Sequence, residues 1–189
     1  MTTNIEIVPY DPAWASDFER ECRQLEHLLE HLQVKVEHIG STSVEGLGAK
    51  PIIDIMIGVE NREMLSSATS PLLGLGYCYY PCYEGEMPER RFFARLHKLQ
   101  RQVFEDVNQL PPGNEFPPTH HLHVVAYNSP FWKRHLAFRN YLRTHSIARD
   151  AYYRLKVKLA NGTWESAGDY AEAKTGFIRS IERLIELIS

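Results

Sequence analysis

Hydrophobic side chains recur every three or four residues near the start of the chain, which predicts an amphipathic helix. The stripe consists of Trp14, Phe18, Cys22, Leu25, Leu29 and Leu32. Asp11-Pro12 precedes it, and a side-chain acceptor followed by proline is a typical helix start. The three-to-four-residue repeat of hydrophobic side chains ends at Leu32, and residues 34–39 and 51–59 are predicted to form strands. The second is almost continuously apolar, which is typical of a strand buried on both faces.

The middle of the chain alternates between short elements, and the last third is helical. We expect a short helix capped by Asn61, paired strands over 77–83 and 90–96, and a strand over 120–127. Three helices follow, the first starting at Ser129-Pro130 and the last running through residues 170–188. This order predicts an α+β fold with flanking helices and a helical C-terminal layer. We expect one domain over 1–189, with a core of 1–128 followed by helices over 129–189.

Bulk composition places the chain among globular proteins. Hydrophobic residues make up 43% of the 189 positions, and no apolar run approaches the roughly 20 residues that cross a bilayer. The first residues carry neither the basic nor the apolar segment of a secretory signal. The odd number of cysteines, three, gives no disulfide framework. We therefore expect a cytoplasmic protein with no membrane partner.

Charge is distributed unevenly around the net value of −3. Residues 1–32 are mostly acidic, whereas residues 131–158 carry eight Lys or Arg and one acid. Such a block indicates either an anionic partner or a solvated surface balanced by the first helix. Arg139 and Arg143, one helical turn apart, form a single ridge that suits a phosphorylated ligand. The negative overall charge and the shortness of the block disfavour nucleic acid.

The segment over residues 38–59 is the richest in candidate chemistry. A carboxylate, Asp54, lies inside its apolar strand, where burial is costly unless something pairs with it. Gly40, Ser41 and Thr42 precede it in a turn that offers backbone N–H groups and hydroxyls to a phosphate. Lys50 adds a positive charge between the two. Gly-Ser-Thr also forms ordinary turns, so the motif gains weight only together with Asp54 and Lys50.

Two further groups of side chains extend this candidate site. His121 and His123 share one face of a strand, where they could bind a metal, contact a phosphate or act as acid and base. Simple hydrogen bonding within the sheet is the alternative reading. One of Arg90 and Arg91 must face the same side as Asp54, and we select Arg91 as the guanidinium that grips phosphate. Surface salt bridging is the alternative for it.

Several motifs together resemble the GrpB-like family, which is related to a C-terminal extension of some dephospho-CoA kinases. They are IVPYDPAW at residues 7–14, HIGSTSV at 38–44, AKPIIDI at 49–55, HLHVV at 121–125, FRNYLR at 138–143 and YYRLK at 152–156. The resemblance spans almost the whole chain and implies a nucleotidyltransferase-like fold. It also implies a nucleotide or phosphorylated metabolite as ligand and transfer of a nucleotidyl or phosphoryl group with Mg²⁺ or Mn²⁺. Asp54 would hold the metal, and His121 and His123 would stand beside it as catalytic residues.

One departure from the pattern opens an alternative. The nucleotidyltransferase pattern has a second carboxylate two residues after the first, where this chain has Met56. A single carboxylate holds Mg²⁺ poorly unless phosphate oxygens and waters complete the octahedron. Another ligand would have to come from elsewhere in the chain, with Glu37, Glu84, Glu86 and Glu89 as candidates. The alternative is a protein that kept the fold as a catalytically inactive binding or interaction module.

Overall fold

The computed structural model of the protein describes residues 5–164 and 166–188. Five strands form one sheet: β1 (Lys35–Ile39), β2 (Ile53–Val59), β3 (Cys78–Tyr79), β4 (Arg90–Leu96) and β5 (Pro118–Ala126). The α-helices are α1 (Ala13–Leu28), α2 (Thr69–Gly74), α3 (Pro130–Thr144), α4 (Ser146–Ala160), α5 (Ala167–Glu172) and α6 (Thr175–Ile188). Short 3₁₀ turns connect several of these elements, among them Ser41–Ser43 after β1 and Arg62–Ala68 before α2.

The sheet is mixed, with strand order β1-β2-β5-β4-β3. β2 and β5 run parallel at its centre, and the other neighbouring pairs are antiparallel. Asp54 lies opposite His121, which lies opposite Ala94, so these side chains form one row on one face. We call this side the Asp54 face and the other side the core face. The mixed sheet with its flanking helices confirms the α+β, nucleotidyltransferase-like fold expected from the sequence.

The core face is covered by α1 and by the segment from Arg62 to Gly74. The buried side chains on this side of the central strands are apolar: Ile53, Ile55, Ile57, Val59, Leu122, Val124 and Phe93. They pack against Trp14, Leu25 and Leu29 of the predicted stripe of α1. β2 is apolar on both faces because both are covered by protein. On the face opposite Ile55 and Ile57, Met56 lies in a second cluster with Trp132 of α3.

The C-terminal helices lie on the side of the Asp54 face. Ser129 accepts a hydrogen bond from Trp132 N at 3.2 Å, so the predicted helix start at Ser129-Pro130 is confirmed. α3 packs on part of the sheet through Phe131 and Trp132. α3, α4 and α6 then join in another cluster, where Tyr152 stacks on Phe177 at 5.1 Å between ring centroids. The part of the sheet left open beside these helices contains Asp54.

Two elements differ from the sequence prediction. The strand expected over 77–83 is only Cys78–Tyr79, because Pro81 lacks the N–H that a sheet ladder needs and begins a 3₁₀ turn instead. The single last helix expected over 170–188 is two helices, α5 and α6, with Ala173 and Lys174 between them. The capping box between Ser166 and Asp169 starts α5 independently of α6. The second difference matters most, since the break contains a lysine of the candidate site.

Candidate functional site

A carboxylate and an imidazole form the centre of the Asp54 face. Asp54 Oδ1 lies 3.1 Å from His121 Nδ1, and the two side chains keep 30% and 27% of their surface exposed. Burial raises the pKa of Asp54, but the hydrogen bond from His121 and nearby positive charge, including that of Lys174, outweigh it and lower the pKa. The ionised carboxylate accepts the Nδ1 proton, so a neutral His121 presents an unprotonated Nε2. The pair is therefore arranged to accept a proton.

Gly40 is what allows the loop after β1 to lie directly on Asp54. It has φ +70°, and a Cβ added there would stand 2.3 Å from Asp54 Oδ2. Only glycine fits, because of both its backbone conformation and the lack of space. The predicted neighbourhood of Gly40 and Asp54 is thereby present.

The two hydroxyls that follow Gly40 have different surroundings. Thr42 is buried and donates to Ile52 O at 3.2 Å, while its oxygen lies 3.1 Å from His38 Nε2. Burial lowers the pKa of His38 to about 4, so this ring is neutral at pH 7. Ser41 is half-buried and forms no side-chain hydrogen bond within the described residues. Of the two predicted phosphate contacts, only the Ser41 hydroxyl is free to meet a ligand.

Two lysines share one aromatic ring next to this loop. Lys50 Nζ lies 4.7 Å and Lys174 Nζ 4.6 Å from the centroid of the Tyr170 ring. In the part of the chain that the structure describes, neither ammonium forms a hydrogen bond or an ion pair. Burial and the charge of Lys50 lower the pKa of Lys174 to about 8, against the opposing charge of Asp54. The Tyr170 hydroxyl is buried and lacks a hydrogen-bond partner among the same residues.

A third lysine, on α4, lies deeper. Lys156 is 2% exposed and donates to Gly48 O at 2.5 Å. Burial and the charge of Lys174 lower its pKa to about 7, and Asp54 acts in the opposite direction. We call Lys50, Lys156 and Lys174 the lysine cluster. Among the described residues, Asp54 is the carboxylate that acts on these three ammonium groups, which leaves a local excess of positive charge that an anion would neutralise.

The predicted ridge of Arg139 and Arg143 is occupied by structural contacts. Arg139 is 8% exposed and pairs with Glu37 at 2.7 Å, while also donating to His38 O at 2.8 Å. Arg143 donates twice to Ser43 O, at 3.0 and 2.8 Å. Both guanidinium groups thus fasten α3 to β1 and to the loop after it, and their ligand role stays a prediction.

The strand β4 places its two arginines on opposite sides. Arg91 lies on the core face, where it pairs with Glu84 at 3.2 Å and donates to Pro88 O at 3.1 Å. It is therefore not brought together with Asp54. Arg90 occupies the Asp54 face instead, and its Nη1 lies 3.4 Å from His123 Nδ1. The expectation that one of the pair shares Asp54's side holds, but the arginine is Arg90.

His123 follows His121 on the same face, one row nearer Arg90. Arginine can only donate, so His123 Nδ1 accepts, and a neutral His123 carries its proton on Nε2. Burial and the charge of Arg90 lower the pKa of His123 well below its usual value, which keeps the ring neutral. The two histidines therefore differ: one offers a basic nitrogen, and the other offers a donor.

The donor atoms around Asp54 do not make up a metal site by themselves. No group of three or more His, Cys, Asp or Glu side chains within residues 5–164 and 166–188 is placed to hold a metal ion. Met56 is fully buried where the second carboxylate would stand, Glu37 is paired with Arg139, and Glu84 is paired on the core face. Octahedral Mg²⁺ prefers several oxygen ligands, and Asp54 alone supplies few.

Sequence reasoning selected Arg91 instead of Arg90, and it did not select Lys156 or Lys174 as site residues. Arg90 and Arg91 stand before Phe92 and Phe93, and such doublets hide the two-residue alternation of a strand. Lys174 was hidden by the expectation of one continuous helix. The signal for its exposure to the site was Ser166 with Asp169, a capping pattern that starts a separate short helix.

The protein is thus of the α+β class, with a part-exposed carboxylate on one face of a mixed sheet and a glycine loop against it. The sequence model described as "GrpB protein" matches residues 4–184, and the chain belongs to this family. It is 33% identical over 178 residues to UPF0157 protein BH1888 of Halalkalibacterium halodurans, covering 94% of this chain and 80% of that protein. The predicted family resemblance is thereby confirmed.

Two further matches bear on the fold and on the relatives. The crystal structure of the conserved protein GrpB from Enterococcus faecalis has a TM-score of 0.73 and 33% identity, covering 95% of this chain and 96% of that one. A dephospho-CoA kinase of Mycobacterium bovis is 38% identical over 74 residues, which are 38% of this chain and 18% of the kinase. In the described residues, no helix combines the length and the apolar character that crossing a bilayer requires.

Proposed function

We propose that the protein binds a nucleotide or phosphorylated metabolite through its phosphate, on the Asp54 face beside the lysine cluster. The observation that carries the proposal is the meeting of Lys50 and Lys174 on the Tyr170 ring without a carboxylate partner in the described residues. Buried or half-buried cations normally pair with an acid. A phosphate supplies two negative charges and several acceptor oxygens, and it would also accept from the unpartnered Tyr170 hydroxyl.

The chemistry proposed for this site is nucleotidyl or phosphoryl transfer assisted by the Asp54–His121 pair. His121 Nε2 accepts the proton of an attacking hydroxyl or water as its oxygen bonds to the phosphorus, and Asp54 holds the ring in the required tautomer. The bond from phosphorus to the leaving oxygen breaks at the same time, and its electron pair goes to the leaving phosphate or alkoxide. The ammonium groups of the lysine cluster offset the charge that develops on the phosphate oxygens. Ser41 contributes a hydroxyl donor from the loop.

Mg²⁺ would bind at this site mainly through the phosphate ligand. Since the described residues offer one carboxylate near the cluster, a Mg²⁺ ion would have to arrive with the phosphate oxygens and keep most of its waters. Asp54 would be its protein ligand.

A second candidate function follows from Met56. This residue is fully buried in an apolar cluster with Ile39, Val125, Phe131 and Trp132. A hydrophobic core side chain therefore stands where the second carboxylate would be. That favours a protein that binds a phosphorylated ligand and does not transform it. The same binding site serves both candidates, and turnover separates them.

Calorimetric titration of ATP and of inorganic phosphate, with and without Mg²⁺, tests the binding. Lys174→Gln should weaken both ligands about tenfold, the loss of one charge-assisted contact. Lys158→Gln removes an exposed lysine of α4 and should change nothing. Equal affinities in wild type and Lys174→Gln, or no binding of either ligand, would contradict the proposal.

A variant of the histidine separates enzyme from binding module. His121→Gln keeps a polar side chain but lacks a basic nitrogen, so it should bind the nucleotide as wild type does. If the protein transfers or hydrolyses phosphate, turnover should fall by about 10²–10⁴ in this variant. Absence of turnover in wild type with ATP and the other nucleoside triphosphates, with binding retained, would favour the module.

A further inference from the structure

The Asp54 face carries a second unpaired cation at some distance from the lysine cluster. Arg90 is half-buried, and in the part of the chain described here its guanidinium forms no ion pair. Its Nε atom is buried and has no hydrogen-bond partner among those residues. An arginine normally satisfies its donors with a carboxylate, a carbonyl or water. The orphaned nitrogen indicates that something outside the described chain completes this group.

Two histidines lie in the surroundings of Arg90. His123 accepts from Arg90 through Nδ1 and therefore presents an Nε2–H donor. His135 of α3 lies 6.4 Å from His123 between ring centroids and uses its Nδ1 on Phe131 O at 2.7 Å. Its remaining nitrogen is free to accept from a hydroxyl or water. A guanidinium and two imidazoles, supplied by β4, β5 and α3, thus lie close together on the Asp54 face.

The aromatic ring of Phe92 lies beside both histidines and Arg90 on the Asp54 face. The Phe92 ring centroid lies 5.3 Å from that of His121 and 5.2 Å from that of His123. The Arg90 guanidinium carbon lies 5.1 Å from the same centroid. A ligand that reaches from the lysine cluster past His121 to Arg90 would cross this ring. Its connecting part must then be uncharged, because an apolar surface does not compensate a charge.

Strand geometry gives the distance between the two histidines of the Asp54 face. Along β5, His121 and His123 are two residues apart, and at about 3.3 Å per residue this is roughly 7 Å. Arg90 reaches back along β4 to the level of His123. The two cationic groups thus flank the Asp54–His121 pair on one face of the sheet.

The geometry points to a second anion subsite at Arg90 and His123, which takes a phosphate or carboxylate joined by an uncharged spacer to the phosphate on the lysine cluster. This inference rests on the proposed function and specifies its ligand: a doubly anionic molecule with its reactive phosphate beside His121. A linear polyphosphate fits less well, since its negative charges would lie against Phe92 and Asp54.

Calorimetric titration with α,ω-alkane bisphosphonates of increasing spacer length, against methylphosphonate, tests the second subsite. Wild type should prefer one spacer length over shorter and longer ones, and bind that bisphosphonate at least tenfold more tightly than methylphosphonate. Arg90→Gln should lose this preference and bind methylphosphonate as wild type does. Arg91→Gln, next to it on the opposite face, should keep the preference. A parallel series of ω-phosphonocarboxylates distinguishes a carboxylate from a second phosphate.

The failures of the two proposals can be told apart. If methylphosphonate binds and Lys174→Gln weakens it, but Arg90→Gln retains the spacer preference or none exists, the second subsite is wrong and the proposed function stands. If tripolyphosphate outcompetes every bisphosphonate in an Arg90-dependent way, the uncharged spacer is wrong. If no phosphonate binds wild type, both proposals fall. Arg90→Lys, which keeps a charge without the planar fork, should retain part of the preference and serves if Arg90→Gln does not fold.

Discussion

On the core face of the sheet, the Glu21 carboxylate is 4% exposed and both of its oxygens accept hydrogen bonds. Arg95 donates to them at 2.6 and 2.9 Å, and the Tyr77 hydroxyl donates at 2.8 Å. On the Asp54 face, Lys50 and Lys174 have no such partner among the described residues. One sheet therefore carries a complete ion pair on one side and unbalanced cations on the other.

The difference between the two faces distinguishes structural from functional charges in this fold. A buried ion pair whose donors and acceptors are all matched gives a ligand nothing to bind. Cations that lower one another's pKa destabilise the apo protein, and the fold keeps them against that cost. Local strain or charge imbalance that the surrounding structure tolerates is common at functional sites.

The largest effect should come from breaking the matched pair on the core face. Glu21→Ala leaves Arg95 without its carboxylate and Tyr77 without its acceptor, 27% and 0% exposed respectively. We expect the free energy of unfolding to fall by about 3 kcal/mol, as for other broken buried pairs. Urea denaturation at neutral pH measures it. Glu19→Ala removes an exposed partner of Arg23 and should change stability little. A similarly small loss in Glu21→Ala would show that the core-face pair is not structural.

Sequence patterns predicted the parts of this comparison that depend on regular alternation. The placement of His121 and His123 on one face follows from the two-residue repeat of a strand, and the apolar run of residues 53–59 fixed β2 between two layers. Glu21 lies on the phase of the α1 stripe, four residues before Leu25, which was a usable signal for its burial. Nothing local, however, indicated that Arg95 would meet it from 74 residues away.

The candidate site was less predictable because its charges come from separate elements. Lys50 precedes β2, Lys156 lies on α4, and Lys174 lies in the break between α5 and α6. Their meeting depends on how the C-terminal helices pack, which local propensity does not determine. The basic block was visible, but two of its members, Arg139 and Arg143, bind backbone carbonyls of the loop after β1 and of β1 itself.

The next effect concerns Lys156 and its dependence on pH. Its pKa is lowered from 10.5 to about 7 in the folded state. Between these values the unfolded chain holds a proton that the folded protein has released, so stability rises with pH there, by up to about 1.4 kcal/mol per unit. Below pH 7 the lysine is charged in both states, and its contribution does not change.

Lys156→Met should remove this pH dependence. We expect the stability of wild type relative to the variant to grow from about pH 7 to about pH 9 in urea denaturation. Lys158→Met, on the exposed side of α4, should run parallel to wild type over the same range. Bound phosphate should flatten the wild-type profile, because an anion favours the charged lysine. Parallel profiles for wild type and Lys156→Met would mean that the pKa of Lys156 is not lowered in the folded protein. The two faces of the sheet would then not differ in this respect.

The smallest effect, and the most discriminating, should come from Asp54→Asn. The pKa of Asp54 is lowered, so at neutral pH the carboxylate is ionised and repels a phosphate on the lysine cluster. Removing that charge should tighten phosphate binding without Mg²⁺ by about 1 kcal/mol, several-fold in affinity. If Asp54 holds a Mg²⁺ ion brought by the ligand, the wild-type gain from Mg²⁺ should disappear in the variant. Asp150→Asn, an exposed carboxylate on α4, is the matched control. Calorimetry of ATP with and without Mg²⁺ measures both effects. Weaker binding by Asp54→Asn without metal would mean that the carboxylate organises the lysines, and that the Asp54 face, like the core face, uses its charges for structure.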